Sequence, residues 1–251
     1  MQESVKQSVE QSAHESLQQS LPHPAAPDRL RQVARAGLIG SAAAVAAFSA
    51  WTFRWTYLHY GATGGEPMEV LPGDDLLPAA DLVATRAATI EATPDRVWPW
   101  VAQLGQGRGG FYSYDRLENL VGCEVESADR IHPEWQDVTA GDPFRLHPKV
   151  ALVVAEVDPG HSLVVDGRAR TGEPAPPYDF TWAFVVRRHP GLRTRLIVRE
   201  RYGYTTPASR LVVEPLAAGS ALMTRKMLHG IRHRVEAARA DGPQSGGWLT
   251  S

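Results

Sequence analysis

Residues 178–204, YDFTWAFVVRRHPGLRTRLIVRERYGY, decide the fold. Large apolar side chains occupy alternate positions on both sides of the turn His189-Pro-Gly191, which is typical of two antiparallel strands joined by a hairpin. In the second strand the apolar positions alternate with arginines. The pattern predicts one apolar face turned toward a core and one arginine-bearing face turned toward solvent. The apolar face comprises Tyr178, Phe180, Trp182, Phe184, Val186, Thr194, Leu196, Val198, Glu200 and Tyr202.

The rest of the chain supplies more strands and three helices. Period-two segments predict strands, and 3.6-residue periodicity with capping signals predicts helices. Thr93 is a suitable N-cap, and Pro94 suits the first helical position. The predicted order is a strand at 82–91, helices at 94–104 and 113–121, strands at 143–147, 150–157, 161–168, 178–187 and 192–204, and a long helix at 207–240 broken or kinked at Pro215. This order predicts an α+β fold in which the long helix covers an antiparallel sheet.

Four motifs resemble a known superfamily. They are ATPDRVWPW at 92–100, GQGRGGFYSYDRLENL at 105–120, ADRIHPEWQ at 128–136 and RKMLHGI at 225–231. Residues 57–240 thereby resemble the helix-grip fold of the START-related superfamily, which includes lipid-transfer proteins and polyketide cyclases, and in particular a bacterial branch without a settled activity. The resemblance implies a curved sheet wrapped around the C-terminal helix, with a cavity between them for an apolar or aromatic molecule.

The residues expected to line that cavity come from the strands, the first helices and the long helix. Competing with this interpretation is an ordinary packed core made of the same side chains. Methionines suit either, because they adapt to irregular shapes. The candidate ligand-binding residues are Arg86, Trp98, Phe111, Tyr114, Phe180, Trp182, Phe184, Leu196, Val198, Glu200, Tyr202, Met223 and Met227.

Glu200 is the one acidic residue on an otherwise apolar strand face. Arg86 has the inward parity on the first strand, which pairs with the last strand in a helix-grip arrangement. We therefore predict a buried Arg86–Glu200 pair, since neither charge could be buried alone. The pair serves either structure or the orientation of a ligand. In the second case Glu200→Gln should spare folding and weaken ligand binding.

Three functions remain open at this point. The favoured one is membrane-tethered binding of a hydrophobic small molecule or lipid. A cyclase- or dehydratase-type enzyme acting on a polyketide-like or aromatic substrate is the alternative, with Tyr114, Glu118 and Glu200 as weak catalytic candidates. Glu118 could equally serve only to stabilise its helix. The third is an interaction module that binds no small molecule.

Other motifs are set aside. Residues 105–110 satisfy G-x-G-x-x-G, but a dinucleotide site needs a strand before the motif and a helix directly behind it; a mobile loop at the cavity mouth fits better. His229 and His233 are four residues apart without a third ligand, so we expect solvated histidines and no metal. We expect no cofactor, and the net charge of −2 argues against nucleic acid as a partner.

The N-terminal region predicts a tail and a membrane segment. Residues 1–35 are rich in Gln, Ser and Pro and are expected to be disordered, as are residues 241–251. Residues 36–53 carry no charge, and we favour a single transmembrane helix at 36–60 with a cytoplasmic N-terminus at the cell membrane. A helix packed on the domain and a cleaved signal peptide are the alternatives. Residues 61–80 are expected to be a linker, and residues 81–240 the folded domain.

Overall fold

The computed structural model describes residues 26–120, 122–147, 150–168 and 176–240. The chain divides into two compact units, Met1–Thr52 and Phe53–Ser251. The predicted disordered stretches 1–25 and 241–251 lie outside the described residues.

The first helix, α1, spans Ala26–Leu58. It starts inside the segment expected to be disordered, and it corrects the prediction of a transmembrane helix at 36–60: among the described residues, no helix combines the length and the apolarity that a membrane crossing needs. The physical reason lies in composition, since alanine, glycine and serine dominate residues 37–50 and contribute little hydropathy. Arg54, expected to reach toward a membrane surface, instead pairs with Glu214 (Nη2–Oε1 2.9 Å).

Six antiparallel strands form one sheet in the order β1-β6-β5-β4-β3-β2. Their bounds are β1 Leu82–Ile90, β2 Pro143–His147, β3 Val150–Asp158, β4 Ser162–Asp166, β5 Tyr178–His189 and β6 Arg193–Tyr204. The predicted pairing of the first strand with the last is confirmed, with Ala84 opposite Glu200 and Arg86 opposite Val198. β2 is short and irregular, because its register with β3 shifts between Arg145 and His147.

Three further helices complete the fold. They are α2 Pro94–Ala102, α3 Asp115–Leu120 and α4 Ser209–Ala240. Pro94 occupies the first turn of α2, as predicted. The helix does not restart at Pro215, since α4 continues through this residue in its second turn; the predicted kink stays a prediction. The long helix against the antiparallel sheet is the helix-grip arrangement expected from the sequence.

The main core lies between the sheet and the helices, on what we call the helix face of the sheet. Phe184, Leu196 and Val198 from the strands pack with Met227 and Ile231 of α4, and all five are at most 2% exposed. A second cluster joins Leu58 at the end of α1 to Leu82, Tyr202, Val213 and Ala217. Apolar burial of this extent is the main force that holds α4 against the sheet.

The opposite face is covered by residues 61–78, which we call the strap. Leu71 packs on Ala87, Val185 and Ile197, and one short 3-10 helix, Asp74–Leu76, and several hydrogen-bonded turns replace regular structure in this part of the chain. The prediction that this arginine-bearing face meets solvent is therefore wrong: Arg199 is 2% exposed and Arg195 8%. The segment expected to be a linker is the cover.

The arginines of β6 bind the strap through charge and through backbone carbonyls. Arg199 pairs with Asp74 (Nη1–Oδ2 2.6 Å) and also donates to the carbonyls of Glu66 and Glu69. Arg195 pairs with Glu66 at 2.7 Å. Arg201 pairs with Asp74 at 3.1 Å. These five side chains, Glu66, Asp74, Arg195, Arg199 and Arg201, are the strap network.

Candidate functional site

One end of the main core is a cluster of aromatic rings centred on Trp182. The Trp182 ring lies 4.7 Å from Phe184, 6.0 Å from Phe144, 6.2 Å from Phe111 and 6.3 Å from Phe180, measured between ring centres. We call these five rings the aromatic cluster. The strands place three of them, since positions 180, 182 and 184 share one face of β5.

The indole Nε1 of Trp182 is buried and has no hydrogen-bond acceptor. Trp182 itself is 8% exposed. Tryptophan N–H groups usually find a partner when they are buried, because an unpaired donor loses its hydrogen bonds to water. The aromatic cluster therefore contains a polar group that the described chain leaves unsatisfied.

Two rings of the aromatic cluster keep a small solvent-exposed area. Phe111 and Trp182 are each 8% exposed to solvent, whereas Phe184, Leu196 and Val198 are fully buried. Half-buried apolar side chains pack around the same core: Trp98, Ile131, Leu146, Val157 and Phe180. A small molecule could reach the aromatic cluster with less rearrangement than it would need at the centre of the sheet.

Arg86 and Glu200 form the predicted buried pair, with Nη1 and Oε1 2.8 Å apart and both side chains at most 1% exposed. The pair is diagonal rather than directly opposite, since Glu200 faces Ala84 in the register. Arg86 also donates to the carbonyls of Tyr57 (2.9 Å) and Ala217 (3.2 Å). The guanidinium therefore ties the end of α1 and the middle of α4 to β1.

The Glu200 carboxylate is occupied by donors from its own chain. Oε1 accepts from Arg86, Ser220 and Thr224, and Oε2 accepts from the Tyr202 hydroxyl at 3.1 Å. We call these five residues the inner network. Burial raises the pKa of Tyr202 well above its ordinary value, and the Glu200 charge adds to the effect, so Tyr202 stays a donor.

This saturation bears on two predictions. A carboxylate with four donors has little capacity left to orient a ligand or to move a proton, so the inner network favours the structural interpretation of the pair. A glutamine would turn an amide N–H₂ toward these donors and leave the Arg86 charge uncompensated. The expectation that Glu200→Gln spares folding is therefore at odds with the observed contacts.

The other predicted site residues are spread over different surroundings. Tyr114 is 39% exposed and lies beneath the Lys226 ammonium, 5.8 Å from the ring centre. The Glu118 side chain lies outside the described side chains. Met227 is buried in the main core, whereas Met223 is only half-buried. The described residues thus do not assemble Tyr114 and Glu200 into one site, and the ligand-binding roles of the candidates stay predictions.

A polar cleft of about 520 Å³ opens between α4 and the segment around α3. Sequence reasoning did not find it, because its residues come from three separate stretches, and His229 and His233 were interpreted as solvated histidines. The only signal was the spacing of basic residues on α4. The lining residues are Tyr112, Ser113, Asp115, Ser127, Lys226, His229, Gly230, His233 and Arg234.

The glycine-rich segment 105–110 is a closed turn. Gly105 and Gly110 exchange two backbone hydrogen bonds of 3.0 and 3.1 Å, and Gln106 N–H donates to the carbonyl of Arg145 on β2. Because the N–H groups of residues 105, 106, 108, 109 and 110 donate to carbonyls of the chain itself, these donors are not free to cradle a phosphate, in agreement with setting the dinucleotide motif aside. Among the described residues, no group of three His, Cys, Asp or Glu side chains could hold a metal ion.

Comparison with solved structures finds several of low sequence identity. The chain is similar to protein MLL2253 from Mesorhizobium loti (14% identity, 62% of this chain and 98% of that one, TM-score 0.37). It is also similar to protein jhp0584 from Helicobacter pylori (11%, 65% and 94%, 0.41), and to the di-domain ARO/CYC BexL from the BE-7585A biosynthetic pathway (14%, 64% and 48%, 0.36).

No family model matches the chain, and no curated protein matches it either. The three solved structures share only 11–14% identity with the chain, and the similarity indicates no ligand and no role.

Proposed function

We propose that this chain binds an aromatic or apolar small molecule that carries a hydrogen-bond acceptor, and that the aromatic cluster is the binding site. The observation that supports the proposal is the unpaired, buried N–H of Trp182 among four phenylalanine rings. The membrane tether expected from the sequence forms no part of the proposal.

The energetics favour a guest with an acceptor. An unsatisfied buried donor costs about 1–3 kcal/mol, and a carbonyl, ether or hydroxyl oxygen on the guest would remove that cost. Stacking and edge-to-face contacts with the surrounding rings would add about 0.5–1.5 kcal/mol for each aromatic pair. Binding without chemistry follows from the cluster's composition, because its five side chains contain no acid, base or nucleophile.

The proposal also differs from the interaction-module hypothesis. If the side chain at position 182 only filled the core, its indole N–H would add no stability without an acceptor. Phenylalanine at that position would then stabilise the fold as well as tryptophan does. If the N–H has no ligand to meet, Trp182→Phe should be neutral or stabilising. If it has one, the same substitution should cost affinity.

The test compares 2-acetonaphthone with 2-ethylnaphthalene, two naphthalenes of similar shape that differ in the carbonyl. Isothermal titration calorimetry should show that the wild-type chain binds the ketone more tightly. Trp182→Phe should abolish this preference by weakening ketone binding about fivefold, the equivalent of one hydrogen bond. Trp135→Phe, a tryptophan stacked on His132 outside the aromatic cluster, is the matched control and should leave both affinities unchanged. Equal binding of the two compounds by the wild-type chain, or an unchanged preference in Trp182→Phe, would contradict the proposal.

A further inference from the structure

We infer that the polar cleft beside α4 is a second binding site, which takes an organic anion with a phosphate or carboxylate group. We call it the α4 cleft, formed by Lys226, His229, His233 and Arg234 on one wall and by Tyr112, Ser113, Asp115 and Ser127 on the other, with Gly230 at its base. It is separate from the aromatic cluster and does not depend on the function proposed there.

The charge of the lining favours an anion. Lys226 and Arg234 contribute two permanent positive charges, and Asp115 contributes one negative charge. Within the described side chains, no carboxylate lies within ion-pair distance of Lys226, His229, His233 or Arg234, whereas Arg210 and Arg232 of the same helix pair with Glu214 and Glu236. The positive charges of Lys226 and Arg234 thus lack a counter-charge from the described side chains.

The single carboxylate of the cleft is engaged elsewhere. Asp115 accepts from the Ser127 backbone N–H at 2.8 Å and from the Ser127 hydroxyl at 2.6 Å. Those bonds hold the two stretches of the opposite wall together and direct the Asp115 oxygens at Ser127. The Arg234 guanidinium donates to the carbonyls of Ala128 (2.8 Å) and Gly230 (3.3 Å), which are contacts that position it without neutralising its charge. The Lys226 ammonium has no carboxylate partner within the described side chains.

The base of the cleft is rigid. A Cβ at Gly230 would lie 2.2 Å from the Tyr112 carbonyl oxygen, so α4 and residue 112 approach as closely as only glycine allows. Tyr112 adopts a positive φ of 54°, its hydroxyl accepts from Gln103 at 2.8 Å, and the Arg234 guanidinium lies over its ring at 4.9 Å. A fixed base means that binding loses little free energy to ordering the protein.

The size of the cleft points to more than a bare ion. A space of about 520 Å³ is within the range that takes drug-sized molecules, and a phosphate ion alone would fill a small part of it. The ligand is therefore an organic molecule whose anionic group contacts Lys226 and Arg234. Phosphate and carboxylate share this chemistry, and the experiment separates them.

The test titrates the chain with 1-naphthyl phosphate, 1-naphthoate and neutral 1-naphthol, followed by calorimetry at low and high salt. At least one anion should bind with an affinity that falls as salt increases, because salt screens partly exposed charges. Naphthol should bind more weakly at this site. Whichever anion binds more tightly identifies the phosphate or the carboxylate as the preferred group.

Variants locate the binding. Lys226→Gln should weaken the preferred anion about fivefold, as expected for the loss of one charge-assisted hydrogen bond near the surface. His233→Gln, also at an exposed position, is a second variant if the first is poorly folded. Arg96→Gln removes an exposed charge from α2, outside the cleft, and should change nothing. The inference is overturned if neither anion binds, if both cleft variants bind like the wild-type chain, or if Trp182→Phe abolishes binding while Lys226→Gln does not.

Discussion

The two faces of the sheet bury charge in different ways. On the helix face, the inner network surrounds one ion pair with hydroxyl groups from β6 and α4, and every partner lies on a regular element or at the end of α1. On the other face, the strap network joins three arginines of β6 to two carboxylates and to backbone carbonyls of a segment with almost no regular structure.

The difference teaches what each network is for. Helix α4 is already held by apolar packing, so the inner network satisfies a charge pair that packing has buried. The strap has few apolar side chains of its own. Arginine side chains of β6 donate hydrogen bonds to its carbonyl oxygens, which in a strand would pair with a neighbouring strand. Breaking the inner network should therefore destabilise the whole fold, whereas breaking the strap network should first release a cover.

The largest expected effect is that of Glu200→Leu. It leaves the Arg86 guanidinium buried without a counter-charge, and we expect a loss of about 4 kcal/mol in the free energy of unfolding, measured by urea denaturation. The double variant Arg86→Met/Glu200→Leu should recover a large part of this loss, because no charge then remains buried. A single variant within about 1 kcal/mol of the wild-type chain would show that the inner network contributes little.

A smaller loss is expected for Arg199→Met, about 3 kcal/mol, since Asp74 and the strap carbonyls can turn toward water once the arginine is gone. The comparison is sharpened by limited proteolysis under native conditions. Cleavage within residues 61–78 should accelerate in Arg199→Met more than in Glu200→Leu at equal stability. Equal cleavage rates would mean that the strap is held by something other than the strap network.

Gly73→Ala should cost about 2 kcal/mol. Gly73 has a φ of +80°, and a Cβ there would lie 2.4 Å from a methyl carbon of Val164, so both backbone strain and a clash arise where the strap meets the sheet. Gly64→Ala is the matched control in the same strap, with a φ of +56° and open space around the added Cβ. Thermal unfolding should show a smaller shift for Gly64→Ala, and equal shifts would exclude the clash as a cause.

The smallest effect concerns pH. Burial opposes ionisation of Glu66, but hydrogen bonds from Arg195 and Thr63 outweigh it and lower its pKa. A carboxyl with a lowered folded pKa stabilises the fold above its unfolded pKa, about 4.3, and this contribution is lost as the pH falls through and below that value.

Glu66→Gln should therefore lower stability at pH 7 by about 1 kcal/mol or less and reduce the difference in unfolding free energy between pH 7 and pH 3. Glu126→Gln, an exposed carboxylate away from the strap, is the control. A larger pH difference in Glu66→Gln than in the wild-type chain would contradict the assignment.

The sequence predicted the structure best where apolar residues repeat with a single period along a whole strand or helix. Alternation gave the sheet strands to within a few residues. Parity, together with the strand pairing that the helix-grip resemblance implies, predicted the contact of Arg86 with Glu200 across 114 positions of the chain. The alternation of residues in the strands does not predict that Ser220, Thr224 and Tyr202 donate to the Glu200 carboxylate. The contacts of Ser220 and Thr224 depend on which side of α4 faces β6.

The failures have physical reasons of their own. Residues 61–78 are rich in glycine, proline and acidic groups, a composition shared by linkers and by irregular covers, and only the arginines opposite them decide between the two. The uncharged run 36–53 predicted a membrane span from its length, but much of it is alanine, and among the described residues no helix is both long and apolar enough to cross a membrane. The α4 cleft was missed since no local pattern links residue 112 with residue 234.

The ends of the sheet carry a further consequence. At β1, the edge N–H of Ala87 donates to the carbonyl of Tyr60. At β2, the first residue is a proline without an N–H, the register is irregular, and the Arg145 carbonyl accepts from Gln106. Each outer strand thus has backbone groups already capped by its own chain, which disfavours the recruitment of a foreign β-segment and the fibrous self-association that such recruitment begins.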